Sequence, residues 1–164
     1  MTKWHFWSEK KFSGVYENIY IRSHREDWFN IVSEIVKEIN SLKVQKKKIL
    51  DIGCGEGHTT KQIIDRVERE YVCDLLEPNK KALVLAETFL TSENIMGEFF
   101  PITLARFIPT KKYDIIFTSH TNYYWASNQK DYDTQLEKLL TLLNDGGKLM
   151  ILTLPEKSDH YKIA

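Results

Sequence analysis

The sequence has few of the features that mark secreted, membrane-bound or metal-binding proteins. Its two cysteines, Cys54 and Cys73, are too few for a disulfide framework and lack the C-x-x-C spacing typical of a zinc site. No apolar run approaches the roughly 20 residues that a membrane-spanning helix needs, and the N-terminus lacks the hydrophobic segment of a signal peptide. These absences predict a cytoplasmic protein with reduced cysteines, no metal ion and no membrane partner.

The chain also lacks an excess of charge of either sign. Its 164 residues include 23 Lys and Arg and 23 Asp and Glu, so the formal net charge is zero. A neutral chain has no overall field that attracts nucleic acid, and the basic run KVQKKK at 43–48 is typical of a solvated surface. The balance disfavours a nucleic-acid substrate. With 42% hydrophobic residues, the composition is that of one globular domain over 1–164.

Short apolar runs alternate with amphipathic stretches from residue 46 onward. This pattern is typical of strand–helix units that form a parallel sheet buried on both faces. Strands are predicted at 47–52, 71–76, 95–100, 113–119 and 147–154. Helices are predicted at 57–68, 79–91 and 130–143, and a loop with one short helical turn at 101–112. The prediction is a Rossmann-like α/β fold, a doubly wound and mostly parallel sheet of about five strands, in a core at 46–154.

An aromatic-rich segment at 1–45 precedes the predicted sheet. A helix is predicted at 27–39, with one apolar face formed by Phe29, Val32, Ile35, Val36 and Ile39. Seven aromatic residues are concentrated in the first 28 positions: Trp4, Phe6, Trp7, Phe12, Tyr16, Tyr20 and Trp28. We expect this helical cap either to pack as part of the core or to close over a ligand.

The stretch ILDIGCGEG at 49–57 carries the strongest functional signal. A strand that leads through glycines into a helix brings the backbone close to a ligand, because glycine has no Cβ. The spacing is Gly53-x-Gly55-x-Gly57, whereas a dinucleotide-binding loop needs a glycine where His58 stands. No Gly-Lys-Ser/Thr follows, which argues against a P-loop. The loop suits a nucleoside without a pyrophosphate, and a nicotinamide-dependent oxidoreductase is the less favoured alternative.

Two carboxylates lie beside this loop in the predicted fold. Glu77 ends the second strand, 22 residues after Gly55, where an acidic side chain can accept hydrogen bonds from both hydroxyls of a ribose. The simpler alternative is an acid at a helix N-terminus. Asp51 stands two residues before Gly53 and either braces the loop or orients an ammonium group. Pro78 follows Glu77 in the predicted first helical turn, where a missing N–H costs little.

Further stretches along the chain belong with these motifs: LLEP, YDIIFTSH and LLNDGGKLMI. Together they resemble the class I S-adenosylmethionine-dependent methyltransferase superfamily over 46–154. The resemblance implies S-adenosylmethionine as the cofactor. Many members carry an Asp after the third strand for the adenine amino group, but none stands between Gly97 and Lys112 here, and Thr103 is the nearest polar substitute. The cofactor-binding residues are predicted to be Asp51, Gly53, Cys54, Gly55, Gly57, Glu77, Pro78, Thr103 and Ser119.

The segment SHTNYYW at 119–125 leaves the fourth strand at the edge where ligands gather in such sheets. His120 and Asn122 supply polar groups there, with structural hydrogen bonding as the alternative role for the histidine. Tyr123, Tyr124 and Trp125 are either walls of a substrate pocket or core aromatics. An NPPY-like tetrapeptide is missing from this place, which disfavours methylation of nucleic-acid bases.

The same segment is also similar to that of histamine N-methyltransferase-like small-molecule methyltransferases. Tyr123 and Tyr124 match the paired tyrosines of that family, and His120 stands where the family has a substrate-contacting glutamine. Glu26 is the rough counterpart of a glutamate near the substrate. The resemblance implies methyl transfer to a small-molecule acceptor at nitrogen, with His120, Tyr123 and Tyr124 as the catalytic candidates.

The familiar form of this fold continues after its fifth strand with a helix and an antiparallel hairpin. Here a tail of about ten residues follows, at 155–164. We therefore expect a fold without that hairpin, either as a minimal variant or as a fragment of a longer protein. An uncovered sheet edge invites pairing with another chain, which predicts a homodimer. A non-catalytic S-adenosylmethionine-binding module or a truncated methyltransferase remains the alternative to an enzyme.

Overall fold

The computed structural model describes residues 25–68, 70–90 and 96–152. The strands in this part are β1 (Lys46–Ile52), β2 (Glu70–Leu76), β3 (Met96–Phe100), β4 (Tyr113–Ser119) and β5 (Leu143–Leu152). The helices are α1 (Arg25–Ser41), α2 (His58–Ile64), α3 (Lys80–Leu90) and α4 (Gln129–Thr141). Short 3₁₀ turns occur at Leu104–Arg106 and Asn122–Tyr124. None of the described helices combines the length and the apolar character needed to cross a membrane.

The strands form one sheet in the order β3-β2-β1-β4-β5, and every pair in it is parallel. The chain moves outward from β1 to β3 and then crosses back to place β4 on the other side of β1. Ile52 is in register with both Leu76 and Thr118, so the carboxyl ends of the three central strands lie at one edge. The predicted Rossmann-like, doubly wound sheet of five strands is confirmed, and the described residues contain no antiparallel strand.

The sheet is buried between two layers because side chains alternate between its faces along each strand. Helices α1, α2 and α3 cover one face, where the buried strand residues are Ile49, Tyr71, Cys73, Leu75, Ile115 and Phe117. Helix α4 and the turn at Leu104–Arg106 cover the other face, where the buried strand residues are Leu50, Ile52, Leu76, Tyr113 and Ile116. The short helical turn predicted between 101 and 112 is confirmed by that 3₁₀ turn.

Helix α1 buries a stripe that differs by one position from the predicted face. Phe29 was expected to be buried, but it is 56% exposed and its ring lies 4.6 Å from the guanidinium carbon of Arg66. Trp28 is 3% exposed instead and continues a buried stripe with the predicted Val32, Ile35 and Ile39. The prediction for Phe29 was wrong because both faces of this segment begin with an aromatic residue, and the larger indole is the one that packs. The aromatic residues before Arg25 lie outside the described residues.

Helix α2 is shorter than the predicted helix at 57–68, because it ends at Ile64. The backbone N–H groups of Arg66 and Val67 bond three residues back, which tightens the last turn. Asn40 of α1 then binds the turn on both sides, donating to the carbonyl of Arg66 at 3.2 Å and accepting from the N–H of Glu68 at 2.9 Å. The early end of α2 is therefore imposed by a tertiary contact that the local sequence does not show.

Strand β5 begins earlier than the predicted strand at 147–154. Leu143 pairs with Tyr113 and Lys148 pairs with Ile115, so the residues between the predicted helix at 130–143 and the predicted strand form a bulge within β5. Asp114 anchors this bulge, because its carboxylate accepts hydrogen bonds from Asn144 Nδ2 at 2.6 Å and from the backbone N of Lys48 at 2.8 Å. Among the described strands β5 pairs only with β4. Dimer formation through this edge stays a prediction.

A buried carboxylate connects β2, β3 and the start of β4. Asp74 is 1% exposed and accepts hydrogen bonds from Tyr113 Oη at 2.7 Å and from the backbone N of Glu98 at 2.8 Å, while Lys111 Nζ lies 2.8 Å away. Burial, followed by the contact with Asp74, raises the pKa of Tyr113, so the phenol remains a donor. Gly97 leaves room for this carboxylate, since a Cβ there would lie 1.9 Å from Asp74 Oδ1. Three donors thus satisfy the buried charge.

We expect Tyr113→Phe to destabilise the protein by about 1.5–3 kcal/mol, because it removes a hydrogen bond to a buried charge. Chemical unfolding monitored by circular dichroism measures the change. Tyr132→Phe is the matched control, since that ring stacks on Trp125 with 5.7 Å between centroids and Phe preserves the stack. The control is expected to change the free energy of unfolding by less than about 0.5 kcal/mol. Equal effects of the two substitutions would contradict the role of the Tyr113 hydroxyl.

Candidate functional site

The glycine loop between β1 and α2 lies at the carboxyl edge of the sheet. The N–H of Gly53 donates to the carbonyl of Leu76 at 2.7 Å, which ties the loop to the end of β2. Gly53 has φ +76, and a Cβ there would lie 2.3 Å from Thr121 Cγ2. Gly57 has φ +84, and a Cβ there would lie 3.1 Å from the Cβ of Ala86 in α3. Both positions therefore require glycine, and at each of them the space that a Cβ would need is occupied by atoms of the protein itself.

Glu77 is held in a fixed orientation beside this loop. Its Oε2 accepts a hydrogen bond from the backbone N of Gly55 at 3.0 Å, and its Oε1 accepts one from the backbone N of Asn79 at 2.8 Å. Burial raises the pKa of Glu77, and these two hydrogen bonds oppose that shift. A carboxylate has about four acceptor positions, so Glu77 retains capacity for two further donors. The arrangement fits the two hydroxyls of a ribose.

The start of α3 differs from the prediction for Pro78. That proline was expected in the first helical turn, but α3 begins at Lys80 and Pro78 precedes the capping residue. The cap is Asn79, whose Oδ1 accepts from the backbone N of Lys81 at 3.1 Å and of Ala82 at 3.3 Å. An Asn before a helical apolar pattern is a recognisable N-cap signal, so this residue could have been found from the sequence.

Asp51 lies beneath the loop and is 2% exposed. Thr60 Oγ1 of α2 donates to its Oδ2 at 2.5 Å. Burial raises the pKa of Asp51 to about 7, the Thr60 hydrogen bond opposes the shift, and the nearby charge of Glu77 adds to it. Burial also raises the pKa of the Cys54 thiol, which argues against a nucleophilic role for Cys54. The contribution of Thr60 has no signal in the sequence, because it depends on how α2 folds back on β1.

Two threonine hydroxyls connect the carboxyl end of β1 to the end of β4 and the residues after it. The hydroxyl of Thr121 donates to the carbonyl of Ile52 at 3.0 Å, and Thr118 shares a short hydrogen bond with the same hydroxyl. The contact of Thr121 with Gly53 completes this clamp. Sequence analysis missed both threonines, since Thr121 binds a strand 69 residues earlier and Thr118 acts through Thr121.

His120 has an unusual backbone conformation at the end of β4. Its φ is +56, the one positive value among the described non-glycine residues. The backbone N still donates to the carbonyl of Leu152 at 2.9 Å, so the ladder between β4 and β5 extends to this position. The side chain is 8% exposed and stacks on Trp28, with 6.2 Å between ring centroids and 28° between planes. Such strain persists only where surrounding contacts hold the residue.

Polar atoms near His120 are buried without being paired. Ser119 Oγ and Asn122 Oδ1 have no hydrogen-bond partner among the described residues. Leaving such atoms unpaired is unfavourable by about 1–3 kcal/mol each, so a water molecule or a ligand group is expected to satisfy them. These unpaired atoms are a physical reason to expect Ser119 and Asn122 to contact a ligand, which stays a prediction.

The remaining predicted residues differ in how the structure places them. Tyr124 is half exposed, and burial of its hydroxyl raises its pKa. Thr103 is exposed after β3, where its carbonyl accepts from the backbone N of Arg106. The side chains of Tyr123 and Glu26 lie outside the described residues. Contacts of these four residues with cofactor or substrate stay predictions.

The fold and this edge define a class I S-adenosylmethionine-dependent methyltransferase domain. A sequence family described as a methyltransferase domain matches residues 20–163, and the chain belongs to that family. The cofactor of this class is S-adenosylmethionine.

Individual relatives agree with this assignment. The chain is 26% identical over 117 residues to ribosomal RNA small subunit methyltransferase C of Buchnera aphidicola, covering 70% of this chain and 35% of that protein. Among solved structures, an amino pentose methyltransferase from Micromonospora echinaspora with bound S-adenosylmethionine has a TM-score of 0.69 at 18% identity, covering 94% of this chain and 59% of the other. A sugar N-methyltransferase from Streptoalloteichus has a TM-score of 0.64 at 14% identity, covering 84% and 53%. The chain thus spans about a third of the curated relative and somewhat more than half of each structure.

The raised pKa of Asp51 predicts a stability that falls as the pH rises. Between the unfolded pKa of about 3.9 and the folded value of about 7, the native state holds a proton that the unfolded state has released. Relative to Asp51→Asn, the wild type is therefore expected to lose up to about 1.4 kcal/mol of unfolding free energy per pH unit between pH 5 and 7. Urea unfolding of both proteins at three pH values measures this difference. A difference independent of pH would contradict the prediction.

Proposed function

We propose that the protein transfers the methyl group of S-adenosylmethionine to a nitrogen atom of a small-molecule acceptor. One observation carries the proposal: Glu77 directly after β2, and the unpaired atoms of Ser119 at the end of β4 and of Asn122 after it, lie at the same sheet edge, on either side of the glycine loop. In open α/β sheets, ligands bind at this edge where the strand order reverses. The site therefore has a cofactor side and an acceptor side.

On the cofactor side, the carboxylates are oriented before any ligand arrives. Glu77 would accept hydrogen bonds from the ribose, because Gly55 and Asn79 already hold its two oxygens in place. Asp51 is the candidate partner of the methionine ammonium, since a positive charge there would favour its ionised form. Preorganised groups of this kind bind without the cost of reorientation.

On the acceptor side, the chain has to position an amine and receive its proton. S-adenosylmethionine supplies a methyl group that is already activated by the sulfonium, so alignment of the nucleophile contributes most of the acceleration. Asn122 Oδ1 can only accept a hydrogen bond, so a group bound there has to donate one, as an amine does. His120 would act as the general base that takes the proton of the amine.

The distribution of basic residues favours a small molecule over nucleic acid. The lysine run at 43–48 lies at the amino end of β1, about 20 Å from the site at 3.3 Å per residue. Lys47 in that run is fully buried and donates to the carbonyl of Glu68 at 2.7 Å, which differs from the solvated surface expected for the run. The names of the two solved relatives, an amino pentose and a sugar N-methyltransferase, support an amine on a small molecule.

We expect Glu77→Ala to weaken the binding of S-adenosylmethionine and S-adenosylhomocysteine by about 1–3 kcal/mol, roughly 5- to 150-fold, since hydrogen bonds from ribose to a charged group are lost. Isothermal titration calorimetry measures both affinities. Asn79→Ala is the control: it removes the cap of α3 and lowers stability by about 1 kcal/mol, but it preserves the bond between Glu77 and Gly55. Its affinity is expected to stay within twofold of wild type. An unchanged affinity in Glu77→Ala would overturn the ribose assignment.

Methyl transfer itself is tested by measuring S-adenosylhomocysteine formed from S-adenosylmethionine. The expected result is formation with histamine or glucosamine as amine probes, none with ribosomal RNA, and at least a tenfold loss in His120→Asn. Asn tolerates a positive φ, so this variant removes the imidazole without adding backbone strain. Turnover with ribosomal RNA alone would contradict the small-molecule proposal. Cofactor binding without turnover on any of these probes would favour the non-catalytic binding module.

A further inference from the structure

The stack between Trp28 and His120 joins α1 to the acceptor side of the site. The imidazole is 8% exposed, and the indole is 3% exposed, so both rings are almost fully enclosed. With 6.2 Å between centroids and 28° between planes, the two rings form an offset stack. The stack therefore restricts rotation of the His120 side chain.

The indole is itself held in place from a second element. Trp28 Nε1 donates to Oε1 of Gln62 at 3.2 Å. Gln62 belongs to α2, which begins directly after Gly57 of the glycine loop. The imidazole is therefore oriented through a chain of contacts that starts at the helix following the cofactor loop.

The backbone conformation of His120 contributes to the same orientation. A left-handed conformation is unfavourable by roughly 1–2 kcal/mol for a residue with a Cβ, and it determines the direction in which that Cβ leaves the chain. With φ at +56, the ring is directed towards Trp28 of α1, while the backbone N remains bonded to Leu152. The strained backbone and the stacked ring thus specify one orientation together.

We infer that Trp28 is a positioning residue: its indole, fixed by Gln62, holds the His120 imidazole in the orientation in which it receives a proton from the acceptor amine. This inference rests on the proposed function, in which His120 is the general base. It assigns Trp28 to the acceptor side, because its indole stacks on His120 and donates a hydrogen bond to Gln62 of α2.

Nuclear magnetic resonance of protein with ¹³C-labelled histidine tests the contact directly. The ring current of a stacked indole shifts the His120 Hε1 resonance, which is assigned by its loss in His120→Asn. Trp28→Leu is expected to move this resonance towards its position in an unfolded chain, and Trp28→Phe is expected to restore part of the shift. Gln62→Leu alters the indole position without opening the core, so it is expected to move the resonance by a smaller amount.

Calorimetry and kinetics then separate positioning from general damage. In Trp28→Leu the affinity for S-adenosylhomocysteine is expected to stay within twofold of wild type, while kcat for the amine probe falls at least tenfold at an unchanged KM for S-adenosylmethionine. Trp28→Phe is expected to recover most of the rate. Phe29→Leu, on the exposed side of the same helix, is the matched control and should change neither quantity.

The two proposals fail in different ways. A His120 resonance that does not move in Trp28→Leu would overturn the positioning role, as would a kcat that remains at the wild-type value. A loss of S-adenosylhomocysteine affinity as large as the loss of kcat would also overturn it, because the effect would then not be confined to the acceptor side. An absence of methyl transfer or of cofactor binding in the wild type would instead contradict the proposed function.

Discussion

The parallel pairing of β1 with β2 on one side and with β4 on the other is the constraint on which the site depends. Because Ile52 is in register with Leu76 and Thr118, the glycine loop, Glu77 and the loop after β4 emerge at one edge. The N–H of Gly53 bonds to the end of β2, and the Thr121 hydroxyl bonds to the end of β1. A shift of one residue in either pairing would separate the cofactor side from the acceptor side.

Two buried carboxylates in this sheet differ in how many hydrogen-bond donors surround them, and this difference indicates which one is structural and which one is suited to binding. Asp74 has three donors around it, from Tyr113, Lys111 and the backbone of Glu98, and it joins three strands. Asp51 has one hydroxyl donor and no cation among its described partners, and its pKa is raised to about 7. A carboxylate so poorly compensated is unfavourable for stability, and a cationic ligand would relieve it. Asp51 is therefore suited to binding, whereas Asp74 is suited to holding strands together.

Sequence patterns predicted the order and type of the elements because these depend on local periodicity and turn residues. The same patterns predicted less accurately where each helix and strand begins and ends. Helix α2 ends early because Asn40 of another helix binds its last turn, and β5 begins early because Asp114 of a neighbouring strand anchors the bulge. The buried face of α1 includes Trp28 in place of Phe29, a choice between adjacent aromatics that only packing could make. In each case the decisive partner is distant in sequence.

The sequence by itself determined the class of the protein, since the glycine loop, the acid 22 residues beyond it and the alternating strands and helices are local signals. From their position at the end of a strand, it also predicted Ser119 as a cofactor-binding residue and His120 and Asn122 as polar groups on the substrate side. Only the tertiary structure decided how these groups are used. The hydroxyl of Thr60 on Asp51, the clamp of Thr121 and the stack of Trp28 on His120 all join segments that are far apart in the chain. Such contacts arise from the packing of whole elements against one another, which no local pattern of residues specifies.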